Sequence, residues 1–159
     1  MNTTTSLPAD FPPIEEILPH RGTMLLLDRM TAFTSESGSA EYAPRRDQWY
    51  SDAQGRMPAW IGLELMAQTI AAHVGLLKRR EGAPTRQGAL LGTRSYRSTR
   101  PAFCPDETLR IEATLVYRDN GGLGAYDCAI LLGDETVATA TLKVYEPDDF
   151  QTFLQGNRS

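Results

Sequence analysis

The stretch AWIGLELMAQTIAAHVGLLKRR, residues 59–80, decides the fold, because it has the length and apolar content of a long central helix. It follows Pro58, a residue type favoured at the start of a helix, and contains no helix breaker other than glycine. Its large apolar residues occupy several faces and alanines fill the gaps, which predicts a helix enclosed on nearly all sides. We therefore expect this helix to form the core of the domain.

Strand patterns lie on both sides of this helix. Before it, residues 23–33 suit a strand buried on one side and residues 39–43 its hairpin partner, whereas residues 45–57 read as a loop. After it come four segments rich in β-branched and aromatic residues: ALLGTRSY (89–96), TLRIEATLVY (108–117), AYDCAILL (125–132) and TVATATLKVY (136–145). Hairpin turns are expected at residues 119–122 and 133–134. This order predicts an α+β fold in which an antiparallel sheet wraps one helix.

Length and composition bound the class of protein. With 159 residues, 41% of them hydrophobic and 23% charged, the chain is expected to form one globular domain. We place this domain at residues 14–147, between a disordered lead-in at 1–13 and a C-terminal tail at 148–159. The formal net charge of -4 argues against a nucleic-acid or anionic-membrane surface spread over the whole molecule.

The sequence contains no signal for a metal or an organic cofactor. Cys104 and Cys128 lack a CxxC spacing, and two cysteines with two histidines match no recognised zinc signature. Neither a dinucleotide-binding glycine loop nor a GxSxG nucleophile motif occurs. The opening segment does not read as a secretory signal, and no stretch is expected to span a bilayer. We expect packed, reduced thiols and a cytoplasmic location.

Two side chains are candidates for acid–base chemistry. Glu64 lies within the apolar helix, where an ionised carboxylate is costly to bury, and a neutral carboxylic acid suits protonation of a leaving hydroxyl. A Glu on an exposed stripe, or one paired with a buried Arg, is the alternative. Gln68, one turn later, shares the face of Glu64 and could orient it. His20 lies in a loop, where a surface role is the alternative to catalysis, and His73 faces away from Glu64 and is predicted to be structural.

Three motifs, in this order, resemble those of the 3-hydroxyacyl-acyl-carrier-protein dehydratases of fatty-acid synthesis: LPHR (18–21), MPAWIGLELMAQ (57–68) and RPAFCPD (100–106). The chain is most similar in appearance to the small hotdog dehydratases found beside type II polyketide systems that make aryl polyenes. It differs from the family in having Ala59 where glycine is usual. It also lacks the Gly-His-Phe-Pro that often precedes the second motif.

The resemblance implies a hotdog fold, and a dimer of identical or related hotdog subunits. It implies that His20 removes the C2 proton of a 3-hydroxyacyl thioester while Glu64 of the other subunit protonates the departing hydroxyl, which leaves a trans-2-enoyl thioester. Backbone amides near Ala59 and Trp60 would polarise the thioester carbonyl, with Gln68 also at the substrate site. The substrate would be carried on the phosphopantetheine of an acyl carrier protein, and no other cofactor is implied.

Two other functions remain open for a hotdog chain of this kind. An acyl thioesterase would use the helix carboxylate to direct water and would not need His20. A non-catalytic subunit would bind acyl chains or support an active hotdog partner. The presence of both His20 and Glu64 argues against each of these alternatives.

A basic segment is a candidate for docking the acidic carrier protein. Arg94, Arg97 and Arg100 alternate with small polar residues and one tyrosine on a predicted strand. A solvated, charged strand is the alternative interpretation.

Overall fold

The computed structural model describes residues 11–82 and 89–145. The helices in these ranges are α1 (Ile14–Ile17) and α2 (Gly62–Glu81), and 3₁₀ turns occupy Gly22–Met24 and Ala59–Ile61. The strands are β1 (Arg29–Phe33), β2 (Ser37–Tyr42), β3 (Met57–Pro58), β4 (Ala89–Ser98), β5 (Ala102–Phe103), β6 (Leu109–Arg118), β7 (Leu123–Leu132) and β8 (Glu135–Tyr145). Apart from residues 11–13, the predicted lead-in and tail lie outside the described residues.

The strands form one large and one small antiparallel sheet. The large sheet has six strands in the order β1-β2-β6-β7-β8-β4, and β3 pairs with β5 in a separate two-stranded ladder. Helix α2 packs mainly against β6, β2 and β7, at the centre of the large sheet. The predicted α+β fold, a long helix wrapped by an antiparallel sheet, is confirmed.

A close approach between α2 and β2 depends on a glycine. A Cβ atom added to Gly38 would lie 3.3 Å from the Cβ of His73 and 3.3 Å from the Cε of Met30. A larger residue at this position would therefore push the helix away from the sheet. Around this contact, α2 contributes fully buried side chains such as Leu65 and Met66, and the sheet contributes Ile111.

The first predicted strand begins later than expected. Residues 23–33 were assigned from the sequence to one strand, but strand pairing starts only at Arg29. The reason is that the backbone N–H groups of Leu26 and Leu27 donate to the side-chain oxygen of Gln68, at 3.1 and 3.4 Å, instead of to a neighbouring strand. The side chain of an α2 residue thus replaces a sheet partner.

The prediction that α2 is enclosed nearly all round is wrong for one face. Before the charged last turn, the partly or fully exposed positions recur at helical spacing from the preceding 3₁₀ turn onwards and are Trp60, Leu63, Glu64, Ala67, Ala71 and Val74. The segment Ala59–Glu81 also has the length and apolar composition of a membrane-crossing helix, contrary to expectation. In this fold 61% of the most apolar stretch of that segment is buried. Its apolar character is therefore explained by its place in the core.

His73 is part of a buried polar network on the opposite side of α2, and its predicted structural role agrees with this position. Its Nε2 lies 3.0 Å from the carbonyl of Thr34, which can only accept, so Nε2 carries the proton. Its Nδ1 therefore accepts from the hydroxyl of Tyr126 at 2.9 Å. Arg118 in turn donates to the Tyr126 oxygen at 2.9 Å.

This network predicts that the protein loses stability in mild acid. Burial, helped by nearby Arg118 and Arg80 and opposed by the bond to Thr34, lowers the pKa of His73 to about 4 from 6.5. Because the folded state favours the neutral ring, the stabilisation of the folded protein by His73 is fully present above pH 6.5. It is lost as pH falls towards 4. It amounts to up to about 3 kcal/mol. Urea unfolding of wild type and His73→Gln at neutral and acidic pH measures it, and an equal pH dependence in both proteins would contradict the assignment.

Candidate active site

The loop that carries His20 is held by its own backbone and by the following arginine. Helix α1 ends with the N–H of Leu18 donating to the carbonyl of Ile14 at 3.0 Å. The guanidinium of Arg21 donates to the carbonyls of Leu18 and His20, at 2.6 and 2.7 Å. Arg21 therefore holds the backbone before and after the histidine side chain in place. The sequence analysis included Arg21 in the motif Leu-Pro-His-Arg but did not predict this contact.

His20 and Glu64 lie together in the structure. The Nε2 of His20 is 3.8 Å from the Oε2 of Glu64, and their side chains are 26% and 42% exposed. At this distance the two groups are close neighbours without a direct hydrogen bond. The Nδ1 of His20 is buried and has no hydrogen-bond partner among the described residues. A buried ring nitrogen without a partner is costly, and such groups are frequent at functional sites.

The structure bears on two expectations about this pair. The resemblance implies a site that combines His20 of one subunit with Glu64 of the other, and in the single chain that the structure describes the two residues of the same chain also lie close together. Of the two alternatives left open for Glu64, burial within the helix environment or a position on an exposed stripe, the single chain has the second, on the exposed face of α2.

Gln68 orients Glu64, as its spacing predicted. Its amide is fully buried, and its oxygen accepts the N–H groups of Leu26 and Leu27. This fixes the amide nitrogen on the other side, where it donates to the carbonyl of Met24 at 2.7 Å and to Oε2 of Glu64 at 3.0 Å. All the strong hydrogen-bonding positions of the side chain are thus used.

The two predicted oxyanion amides have different environments. The N–H of Ala59 donates to the carbonyl of Pro101 at 2.9 Å, as part of the β3–β5 pairing. It is therefore not free to bind a thioester oxygen, which corrects the expectation for Ala59. The N–H of Trp60 follows in the first turn of the helical segment, where backbone donors lack intrahelical partners.

Three large apolar side chains are exposed on the segments next to this region in the chain. Met24 and Trp60 are 59% and 66% exposed, and Trp49 is 54% exposed. The indole nitrogen of Trp49 donates to the carbonyl of Thr23 at 3.1 Å, which ties the long loop before α2 to the segment after His20. An exposed group of this kind around paired polar residues is typical of a surface that binds a ligand or a partner.

The structure describes the side chains of two of the three predicted docking arginines. Arg100 makes a two-pronged ion pair with Glu107, at 2.9 and 3.2 Å. Although burial opposes the charged form, this pair and the N–H of Cys104 hold the pKa of Glu107 below its usual value. Arg97 is exposed on the large sheet, where it lies opposite Thr139 of β8. Nothing is described of the Arg94 side chain.

Comparisons with known proteins agree on one family and one fold. The family model of the ApeP-like proteins, described as ApeP dehydratase, matches residues 12–155. No curated protein matches the chain in sequence. The solved dehydratase heterocomplex ApeI:P from Xenorhabdus doucetiae contains a chain with 25% identity and a TM-score of 0.85, and the match covers 92% of this chain and 99% of that one.

More distant structures share the fold alone. A hypothetical thioesterase from Streptococcus pneumoniae, solved with coenzyme A, has 15% identity and a TM-score of 0.59 over 74% of this chain and 84% of its own. The PaaI protein from the phenylacetic acid degradation operon of E. coli has 14% identity and a TM-score of 0.56, over 73% and 80%. The hotdog assignment is thereby confirmed.

Proposed function

The chain belongs to the ApeP dehydratase family, and from this premise we propose that it converts a 3-hydroxyacyl thioester to the trans-2-enoyl thioester with His20 as base and Glu64 as acid. The observation that carries the proposal is the 3.8 Å approach of His20 Nε2 to Glu64 Oε2 at the start of the central helix. The proton and the hydroxyl that leave are carried by neighbouring carbons. Base and acid must therefore converge within a few ångströms, as these two groups do.

The reaction balances with these two groups alone. The neutral imidazole of His20 takes the C2 proton, the C2 electron pair forms the new double bond, and the C3–O bond breaks as the Glu64 carboxyl delivers its proton. Water leaves, His20 is protonated and Glu64 is ionised, so a proton must pass from one to the other before the next cycle. Because the two side chains are close neighbours, this proton has only a short distance to travel.

Gln68 determines which oxygen of Glu64 donates. Oε2 of Glu64 accepts a hydrogen bond from the Gln68 amide. In the protonated acid, the proton therefore belongs on Oε1, the oxygen free to face substrate. Gln68 thus acts as a positioning residue in this mechanism.

We also propose the carrier and the partner. The family assignment supports a substrate bound to an acyl carrier protein, in synthesis of an aryl polyene. The similarity to a heterocomplex supports a second hotdog subunit as partner. Such a subunit would cover the exposed face of α2 around Trp60 and Leu63 and would exclude water from Glu64. A cytoplasmic location fits this chemistry.

A thioesterase is the second candidate, favoured by the fold shared with the thioesterase-named structure. The two activities are distinguished by incubating the protein with a 3-hydroxyacyl thioester while a thiol reagent and the absorbance of a conjugated enoyl thioester are followed together. The proposal requires enoyl absorbance without thiol release. Thiol release without enoyl absorbance would replace it by thioesterase activity.

Carrier docking yields a separate prediction for Arg97. Reversal of this exposed charge, Arg97→Glu, should raise KM for a carrier-bound substrate by about tenfold or less and spare short thioester analogues, because only the carrier protein supplies acidic side chains. Arg29→Glu, an exposed arginine at the opposite edge of the sheet, is the matched control. Equal effects of Arg97→Glu on both substrates would exclude docking.

A further inference from the structure

Tyr96, on strand β4, contacts the chain just before α2 through a hydrogen bond. Its hydroxyl donates to the carbonyl of Ala59. Strand β4 is an edge strand, and its pairing with β8 shifts register between Arg94 and Arg97. Within this bulge Ser95 has a φ of 56°. Bulges re-aim side chains, and this one turns Tyr96 towards the helix start.

The helix is shaped to receive this hydroxyl. A Cβ added to Gly62 would lie 2.5 Å from the Tyr96 oxygen and 2.9 Å from Cδ1 of Ile130, so only glycine leaves room. The N–H of Gly62 also donates to the carbonyl of Ala59. This carbonyl therefore has two donors, one from the helix and one from the edge strand.

The carbonyl of Ala59 and the N–H of Trp60 belong to the same peptide group. In a trans peptide they point in opposite directions, so the donors that hold the carbonyl also aim the N–H away from the helix body. A hydrogen bond at the carbonyl further polarises the group and strengthens its N–H as a donor. Since the preceding N–H, that of Ala59, is taken by Pro101, the Trp60 N–H is the oxyanion donor left from the predicted pair.

We propose that Tyr96 is a positioning residue of the dehydration, which holds the Ala59–Trp60 peptide so that the Trp60 N–H receives the thioester carbonyl oxygen. This inference rests on the proposed function and adds a residue to it. Trp60 and Glu64 are four positions apart, so the donor and the acid occupy the same side of the helical segment. A carbonyl held at Trp60 therefore places C2 and C3 of the substrate towards His20 and Glu64.

The test removes the hydroxyl and keeps the ring. For Tyr96→Phe, purified with any subunit that accompanies the wild type, kcat should fall about tenfold while KM changes less than about threefold, since an oxyanion contact acts in the transition state. Burial raises the pKa of Tyr96 to about 12. The hydroxyl hence stays protonated near neutrality, and the loss should be the same at every pH in that range.

A second readout follows the thioester carbonyl that the Trp60 N–H is proposed to receive. The infrared stretch of a saturated acyl thioester, labelled with carbon-13 at its carbonyl, should shift on binding to wild type and return towards its solution value in Tyr96→Phe. Tyr126→Phe, which removes a buried hydroxyl from the His73 network, is the matched control and should lower stability without moving kcat tenfold or the stretch. If the wild-type protein does not dehydrate a 3-hydroxyacyl thioester, the proposed function is wrong. The infrared stretch of the bound thioester still tests whether Tyr96 positions the Ala59–Trp60 peptide. Wild-type values of the stretch in Tyr96→Phe, or no shift in wild type, would overturn the role of Tyr96.

Discussion

Replacement of His20 by alanine, or of Glu64 by glutamine, is expected to lower the rate of dehydration by about 10²–10⁴-fold in each case. Removal of a C2 proton and departure of hydroxide are both difficult in water, and each residue serves one of them. Because the two act on the same substrate molecule, the double variant should be little slower than the slower single variant. Steady-state kinetics of the three variants measures this.

Stability provides the control for these variants. Glu64 is 42% exposed in the chain, so Glu64→Gln should leave the unfolding transition near that of wild type. Glu15→Gln, an exposed glutamate on α1, should change neither activity nor stability. If His20→Ala dehydrates the substrate at a near-normal rate while Glu64→Gln is inactive, the base is another group. Such a result would favour a thioesterase-like use of the carboxylate.

The second large effect is expected at Gln68. In Gln68→Met the volume is nearly kept, but the N–H groups of Leu26 and Leu27 and the carbonyl of Met24 lose their partner. Buried groups left unsatisfied cost about 1–3 kcal/mol each, so loss of the partner of the two buried N–H groups alone should lower the free energy of unfolding by about 2–6 kcal/mol. Glu64 also loses the bond that orients it, and kcat should fall at least about tenfold.

Chemical denaturation and kinetics of the same preparation separate the two effects. Gln48→Met, at an exposed position of the loop before α2, is the matched control and should be silent in both. A Gln68→Met protein that is destabilised but fully active under folded conditions would show that Gln68 supports the fold alone.

Local pattern was sufficient for most of the fold. The apolar content of residues 59–80 identified the core helix, and the strand segments at 108–117, 125–132 and 136–145 agree with β6, β7 and β8 to within two residues at either end. The hairpin predicted at 119–122 is stabilised by the Asp119 carboxylate, which accepts the N–H groups of Gly121 and Leu123. These features depend on short-range propensity and on alternation, which one sequence displays.

The errors arose where distant residues decide local structure. Residues 23–28 carry a strand-like pattern, but Gln68 captures two of their N–H groups from more than forty positions away. The exposure of one face of α2 could not be read from composition, since alanine and leucine occur on covered and uncovered faces alike.

The site was predictable in part. His20 and Glu64 came from a family resemblance, and Gln68 from helical spacing, but the occupied N–H of Ala59 depends on a pairing between two two-residue strands. Tyr96 was missed for a similar reason: its direction is set by a bulge, and a single tyrosine among arginines carries no pattern that would reveal one.

The intact mass of the carrier protein tests the central claim most directly. A purified 3-hydroxyacyl carrier protein is incubated with the chain, together with any subunit that accompanies it, and the mass of the loaded carrier is followed. The account predicts that the carrier loses the mass of one water and keeps its acyl group, with wild type but not with Glu64→Gln. An unchanged mass, or loss of the whole acyl group, would contradict it.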